Sequence, residues 1–391
     1  MNRELFDTVV VGAGPVGSYA AQQLASYGFK VAVLEEHERI GEPMQCTGII
    51  GVECFDRFHL STESVFREVC SARFLSPSRK MIHLQSEKTQ AYIVNRTVFD
   101  CQLANTAIEK GARIFTSCKA NNVVIRSDRV SIFTDDGETF DGRTAIITSG
   151  FYSKLPQKLG MGKFRDFMMG AQAEVTISDK TKLDEIEIYL DQDLAPGFFA
   201  WLVPTTTQRA LVGLFSRNTP RKHLRIFLTQ LCDEERIESS EVNVMHGGIS
   251  LETRGKTYTK RVIVAGDAAG QVKPTTGGGV YYGLICAQFA ADVIKRALTE
   301  DDFSERLMSN YQKLWRKEIG RELHNGYIAR RIYEKLSNNI IDQLFEFSLK
   351  KGIDDIINES DNISFDWHSK AFFEIIKQAV PRLCKLKSTC I

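Results

Sequence analysis

Thr8 to Val11 form a continuous β-branched run, the pattern of a strand buried on both faces. The run breaks at "GAGPVG" and gives way to Ala20, Ala21, Leu24 and Ala25, a small apolar face at helical spacing. A second apolar run then closes at Glu35, so the front of the chain reads as strand, tight turn, helix, strand. A related succession lies at residues 260–294: a buried strand from Val262 to Ala265, a glycine-rich segment, and an apolar helix from about Val280. Between the two, "FMMGAQAEVTIS", "EIEIYL", "FFAWLVP" and "RALVGLF" read as successive strands separated by Pro, Gly and Asp signals. They suit an antiparallel sheet with one face on a cavity and the other toward solvent. From about Phe303 the pattern turns helical, with Leu307, Tyr311, Leu314, Trp315 and Ile319 recurring between charges.

Length and composition narrow the class. A chain of 391 residues can bury the core of two or three cooperating domains, and 43% hydrophobic with 25% charged residues is a globular balance. A net charge of +1 without a basic block argues against a nucleic-acid partner. The apolar runs are strand-sized, well short of the roughly 20 residues that cross a bilayer. The start "MNRELFDTVVVGAG" carries no cleavable signal pattern. The expectation is a cytoplasmic protein; the oligomeric state is open and a monomer is compatible with it. The modestly basic tail "VPRLCKLKSTC" allows peripheral contact with anionic membrane headgroups, beside the plainer reading of a solvated end. Nine cysteines include no CxxC pair, so neither a metal site nor a disulfide framework is indicated.

The candidate chemistry begins at Gly12, Gly14 and Gly17, a GxGxxG. The first glycine permits the turn, the second lets backbone approach a pyrophosphate, and the third lets helix pack on strand. The helix start, with Pro15, offers N–H groups and a positive dipole end to phosphate. Glu35 stands where a carboxylate accepts from ribose hydroxyls. This half alone fits NAD or FAD. The second half decides: Gly266 and Asp267 follow a buried strand, with Gly277, Gly278 and Gly279 before the next helix. A carboxylate and a helix start together suit a polyol and a diphosphate, which a flavin dinucleotide has.

At "GDAAG" the chain resembles FAD enzymes built like p-hydroxybenzoate hydroxylase. That resemblance assigns Asp267 to the ribityl chain, and "VNRTVFDCQL" to a helix start with Arg96 near FAD and with Phe99 and Asp100 capping. On their residues alone, Asp267 also reads as a helix N-cap and Arg96 as a surface arginine. Pro43, Cys46 and Gly48 spell PxxCxG. Trp201 and Pro204 stand at the spacing of a YxWxFP motif, with Gly213 after eight intervening residues. The two motifs together resemble the geranylgeranyl reductase family across roughly residues 5 to 300. Phe199 takes the place of the motif's tyrosine, Val203 that of its phenylalanine, and Gly213-Leu214-Phe215 that of its closing GxG. The acidic-glycine pair of the hydroxylases has a counterpart only in Asp141-Gly142.

The resemblance implies an α/β fold: a Rossmann-like FAD domain from residues 1–75, 91–155 and 258–300, an inserted antiparallel substrate domain from 76–90 and 156–257, and a helical region at 301–391. It implies saturation of isolated C=C bonds in polyprenyl lipids or diphosphates, and it leaves the electron donor open between NADPH, ferredoxin and another reductase. It places Phe199, Trp201, Pro204 and Gly213 at the substrate cavity, and Tyr281 is a further candidate there for anchoring substrate or protons. A flavin monooxygenase or halogenase, and a lipid-binding flavoprotein without turnover, are the alternatives. An isolated alkene has no carbonyl to polarise, so hydride must arrive together with a proton. Cys46 is the candidate near the flavin, handling a proton directly, positioning a water or gating flavin movement; the plainer alternative is a small buried thiol filling a turn.

Overall fold

The computed structural model of the chain describes residues 4–44, 46–352 and 365–367. The central strands of its first sheet are buried, largely apolar runs such as Val31–Leu34 and Val262–Val264, as parallel pairing covered on both faces requires. Its order is Tyr258–Thr259, Val262–Val264, Thr139–Ile147, Leu5–Val11, Val31–Leu34, Arg113–Phe115. All these pairs are parallel except the edge strand Tyr258–Thr259. A hairpin of Ala120–Ile125 and Val130–Thr134 pairs antiparallel with the start of Thr139–Ile147. Helices Pro15–Ser26, Arg96–Glu109 and Val280–Glu300 pack together over one face, where Ala20, Ala21, Leu24, Ala287, Ala290 and Ala291 form a small-residue seam. This is the α/β flavoprotein architecture expected, with a three-stranded sheet (Ile49–Gly51, Ala91–Val94, Val65–Val69) beside it.

The second sheet has seven strands in the order Val244–Ser250, Phe167–Thr176, Arg209–Ser216, Ala200–Pro204, Glu185–Tyr189, Ser71–Leu75, Met81–Gln85. It includes Ser71–Leu75, on the other side of the boundary drawn from sequence, and that strand pairs parallel with Glu185–Tyr189 in an otherwise antiparallel sheet. One face does meet a cavity. The other is not solvated, as the strand pattern had suggested. It is covered by helix Pro220–Asp233, whose Leu224, Phe227, Leu228 and Leu231 pack on Ala173, Ala200, Leu202, Val212 and Leu214. Helices Glu305–Tyr333 and Asn338–Lys350 complete the described fold. None of the described helices is long and apolar enough to cross a membrane. The basic tail lies outside the described residues.

Candidate active site

The turn after Leu5–Val11 can be made only by glycines. Gly12 has φ +104°, and a Cβ there would lie 2.7 Å from the Thr148 carbonyl oxygen. A Cβ at Gly17 would meet the Gly12 oxygen at 1.9 Å, so helix and turn could not close. Around Gly14 nothing lies within 4 Å of such an atom, which leaves the backbone open to the cavity. No side chain caps helix Pro15–Ser26, so its first N–H groups remain for an anion. Beside it, the buried Glu35 carboxylate accepts from Ala13 N at 2.9 Å and His37 N at 3.0 Å.

The second half of the cradle comes from the other end of the sheet. Asp267 sits in a short 3-10 turn, Gly266–Ala269, and makes no capping hydrogen bond, so the cap reading gives way to a carboxylate facing the cavity. Burial pushes its carboxyl pKa up, against the pull of the Arg96 charge. Gly279 is required next to it, since a Cβ would lie 2.7 Å from Asp267 Oδ1. Helix Val280–Glu300 starts there, also without a side-chain cap. Gly266, at φ +68°, lets this segment close on Val16 of the first helix.

Arg96 and Cys46 meet between the two halves. Arg96 grips Asp100 through two 2.9 Å hydrogen bonds. Burial opposes its charge, but Asp100 and Cys46 outweigh that and hold it protonated. Asp100 is therefore the partner of Arg96 and not a cap; Asn95 caps the helix by accepting from Val98 N at 3.2 Å. Cys46 Sγ accepts from Gly48 N at 3.4 Å. Gly48, at φ +78°, lies so close to the Val94 carbonyl that a Cβ would approach it to 2.5 Å. Thr47 donates to Gln172 Oε1 at 2.6 Å, which ties the cysteine loop to the second sheet.

All of this faces one cavity of about 2280 Å³. Gly12, Gly14, Pro15, Glu35, Cys46, Arg96, Asp267 and Gly277 to Gly279 line one part of it, and Phe199 and Trp201 another. Ligand pockets commonly measure about 300–1,000 Å³, so this cavity is larger than one small-ligand site needs.

A family model described as lycopene cyclase protein matches residues 7–346. A digeranylgeranylglycerophospholipid reductase of Methanocaldococcus jannaschii is 31% identical over 366 residues, covering 90% of this chain and 93% of the relative. Another of that name from Methanopyrus kandleri is 31% identical, covering 87% and 90%. A crystal structure of a geranylgeranyl bacteriochlorophyll reductase-like protein from Thermoplasma acidophilum superposes with a TM-score of 0.84 at 25% identity, covering 99% of this chain and all of that one. The chain belongs to the geranylgeranyl reductase family. It falls equally within the lycopene cyclase family model. A flavin-dependent brominase at 14% identity and TM-score 0.69 shares the fold alone. The fold is that of FAD-dependent enzymes, and the glycine cradle and two uncapped helix starts fit FAD.

Four residues expected from the family pattern stand back from the cavity wall. Gly17 and Gly266 shape it from behind through the contacts above. Gly213 gives room to Trp201, whose ring would lie 2.5 Å from a Cβ there. Pro204 ends its strand inside the sheet, opposite Ala210. Tyr281 is a correction: it is buried in the helical core, donates to Glu53 Oε1 at 2.5 Å and accepts from Arg57 at 3.4 Å, and does not line the cavity. Sequence reasoning missed Lys273, Phe215, Phe365, Arg330 and Tyr333, which all do. Lys273 lies between Asp267 and the glycines at 277–279, and Phe215 stands at the end of the aromatic motif; the others carry no local pattern.

Proposed function

We propose that the chain is an FAD-dependent reductase that saturates isolated C=C bonds of geranylgeranyl chains on a glycerophospholipid or a related isoprenoid. The observation that carries this reading is the single cavity joining the dinucleotide cradle to an aromatic-walled region of the second sheet. FAD would be held by the Gly12–Gly17 turn with Pro15 at its phosphates, by Glu35 at the adenosine ribose, and by Asp267 with Gly266 at the ribityl chain. Arg96 and Gly277 to Gly279 would face its ring system. When bound and reduced, FAD supplies the hydride that this chemistry needs.

The chain's own task is to exclude water, fix the alkene and deliver one proton to the neighbouring carbon. Phe199 and Trp201 give the apolar wall that holds the prenyl chain. Cys46 is placed by Gly48 N and by the loop tie to Gln172 to position a proton-donating water. Reducing equivalents come from NADPH or ferredoxin. Exposed Ile328, Ile332, Ile340 and Leu344, at four-residue spacing within helices Glu305–Tyr333 and Asn338–Lys350, support peripheral contact with the membrane that carries the lipid.

The test is anaerobic. Dithionite-reduced holoenzyme is mixed with a digeranylgeranyl glycerophospholipid, and flavin reoxidation is followed with product mass. Reoxidation with a gain of H2 per bond is expected. Flavin that stays reduced with every polyprenyl lipid, yet consumes oxygen with NAD(P)H and an aromatic substrate, refutes the reductase reading in favour of a monooxygenase.

A further inference from the structure

In the last turn of helix Glu305–Tyr333, Arg330 is only 4% exposed although it carries a guanidinium. Its guanidinium carbon stacks 3.7 Å from the centre of the fully buried Phe198 ring and 4.9 Å from that of Tyr333. One Nη donates to the Gly197 carbonyl. Among the described residues, Arg330 Nε and the Tyr333 hydroxyl are buried polar atoms with no hydrogen-bond partner. Both residues line the cavity, with Leu190 and Phe199.

Among the described residues, no carboxylate is ion-paired with Arg330. Glu334, next along the chain, is gripped by Arg217 at 2.6 and 2.8 Å and by Arg331 at 3.3 Å. Asp166 is held by Arg217, Tyr327 and Arg331. Asp191 accepts from Asn338 and from the backbone of Asp193. Burying an unpaired ion costs several kcal/mol, and burial pulls the Arg330 pKa down to about 9. A structural staple to Gly197 would need one Nη and would leave Nε and the phenol unused. A planar fork with a free N–H, beside a phenolic donor, matches an oxyanion of phosphate geometry.

We infer that Arg330 and Tyr333 form a phosphoryl-binding point that takes the headgroup phosphate of the isoprenoid lipid. Phe198 packs on Phe215, which lies against Gly277 of the flavin cradle. The headgroup point and the cradle therefore bound the same aromatic chamber, where the prenyl chain would lie. This rests on the reductase reading and names the feature by which that site would select its substrate.

The test uses the FAD-loaded full chain with digeranylgeranylglyceryl phosphate and with neutral digeranylgeranylglycerol. In Arg330→Gln the ratio of kcat/KM for the phosphate over the neutral lipid should fall about tenfold or more, as expected for losing a hydrogen bond to a charged group. Tyr333→Phe should lower it less, and Arg330→Lys should keep part of it. Pyrophosphate should compete with the phospholipid in the wild type. If Arg330→Gln does not retain flavin, Tyr333→Phe and the wild-type competition decide. An unchanged ratio in the folded variants overturns the inference while leaving the reductase reading intact. Inorganic phosphate binding that depends on Arg330, with no change in the lipid ratio, assigns the point to free phosphate and also overturns it. A wild type that reduces neither lipid defeats the reductase reading; calorimetry with pyrophosphate on wild type and Arg330→Gln then decides whether the anion point exists.

Discussion

The Lys273–Asp366 pair ties residues 365–367 to the cavity wall. Lys273 Nζ lies 2.6 Å from Asp366 Oδ1, and the two residues are 5% and 2% exposed. Tyr282 donates to the Asp366 carbonyl at 3.0 Å, and Trp367 donates to Glu53 at 2.9 Å. The Asp366 carboxylate fills the slot left by Gly51, where a Cβ would lie 1.9 Å from Oδ2. Burial pushes its carboxyl pKa up, and Lys273 opposes that shift. At this separation and an effective dielectric constant near 20, the attraction is about 6 kcal/mol, and desolvation of both ions cancels much of it. Removing Lys273 is different, because it takes away the positive charge that offsets the burial of the Asp366 carboxylate. Lys273→Met should cost about 3–5 kcal/mol, whereas Lys273→Met with Asp366→Asn should recover most of that loss as a coupling between neighbours. Urea unfolding of the holoenzyme measures the global part. Hydrogen exchange over residues 365–367 measures local release of the segment. A single-variant cost under about 1 kcal/mol, or simple addition in the double variant, would refute the reasoning.

Three further outcomes are expected. Cys46→Ser should keep FAD and fold but slow reoxidation of reduced flavin by prenyl lipid by about a hundredfold, the lower range of a lost acid–base contribution; full turnover removes Cys46 from the chemistry. Gly213→Ala pushes a Cβ to 2.5 Å from the Trp201 ring, so it should cost about 1–3 kcal/mol by overpacking. It should also shift tryptophan fluorescence, and an unshifted spectrum with native stability would show the ring to be mobile. The third concerns acid. Glu187, 1% exposed, accepts from Arg236 at 2.7 and 2.8 Å, from Arg73 at 2.5 Å and from Tyr189 at 2.5 Å. Burial would raise its pKa, but Arg236, Tyr189 and Arg73 together bring it below 4.5. A depressed carboxylate contributes stability above its unfolded pKa and loses it as pH falls through the folded value. Glu187→Gln should therefore be destabilised by about 3 kcal/mol at neutral pH, with the gap to wild type narrowing below pH 4.5; parallel acid limbs would sink this.

The flavin cradle was legible in the sequence because its demands fall on the backbone. Gly12, Gly17 and Gly279 are forced by contacts of 2.7, 1.9 and 2.7 Å that no other residue survives, so the chemistry is written as glycines at fixed spacing. Cys46 was found for the same reason, through Gly48. The substrate end is made of side chains brought from distant strands and helices. Arg330 reaches Gly197 across 133 positions and Lys273 reaches Asp366 across 93, and no local pattern records such pairs. Tyr281 shows the opposite error. Its place beside the glycine run suggested the cavity, but the helix turns its ring into the core toward Glu53. Helix Pro220–Asp233 escaped notice because the strands it covers alternate as half-buried strands do, whatever lies on their second face.

The departures from the family's aromatic motif gain meaning together. Phe199, Trp201 and Val203 share a face of one strand, and Gly213 and Phe215 share that face of the next, with Trp201 opposite Gly213. Val203 stands where the motif has phenylalanine, which removes aromatic volume from this face; Phe215 stands where it has glycine, which returns that volume four residues along the paired strands, beside Gly277 of the flavin cradle. The Phe215 ring fills the space so gained, with centroids 5.1 Å from Phe198 and 5.4 Å from Trp201, and it presses on Gly170 and Gly277. Exchanges that conserve volume are the ones a packed core tolerates, so the sheet keeps its density while its cavity wall moves. The wall moves toward the glycine loop of the cofactor cradle and away from the strand end at Pro204. The exchange therefore sets aromatic bulk against the Gly277 loop of the cradle and leaves the cradle's own glycines unaltered.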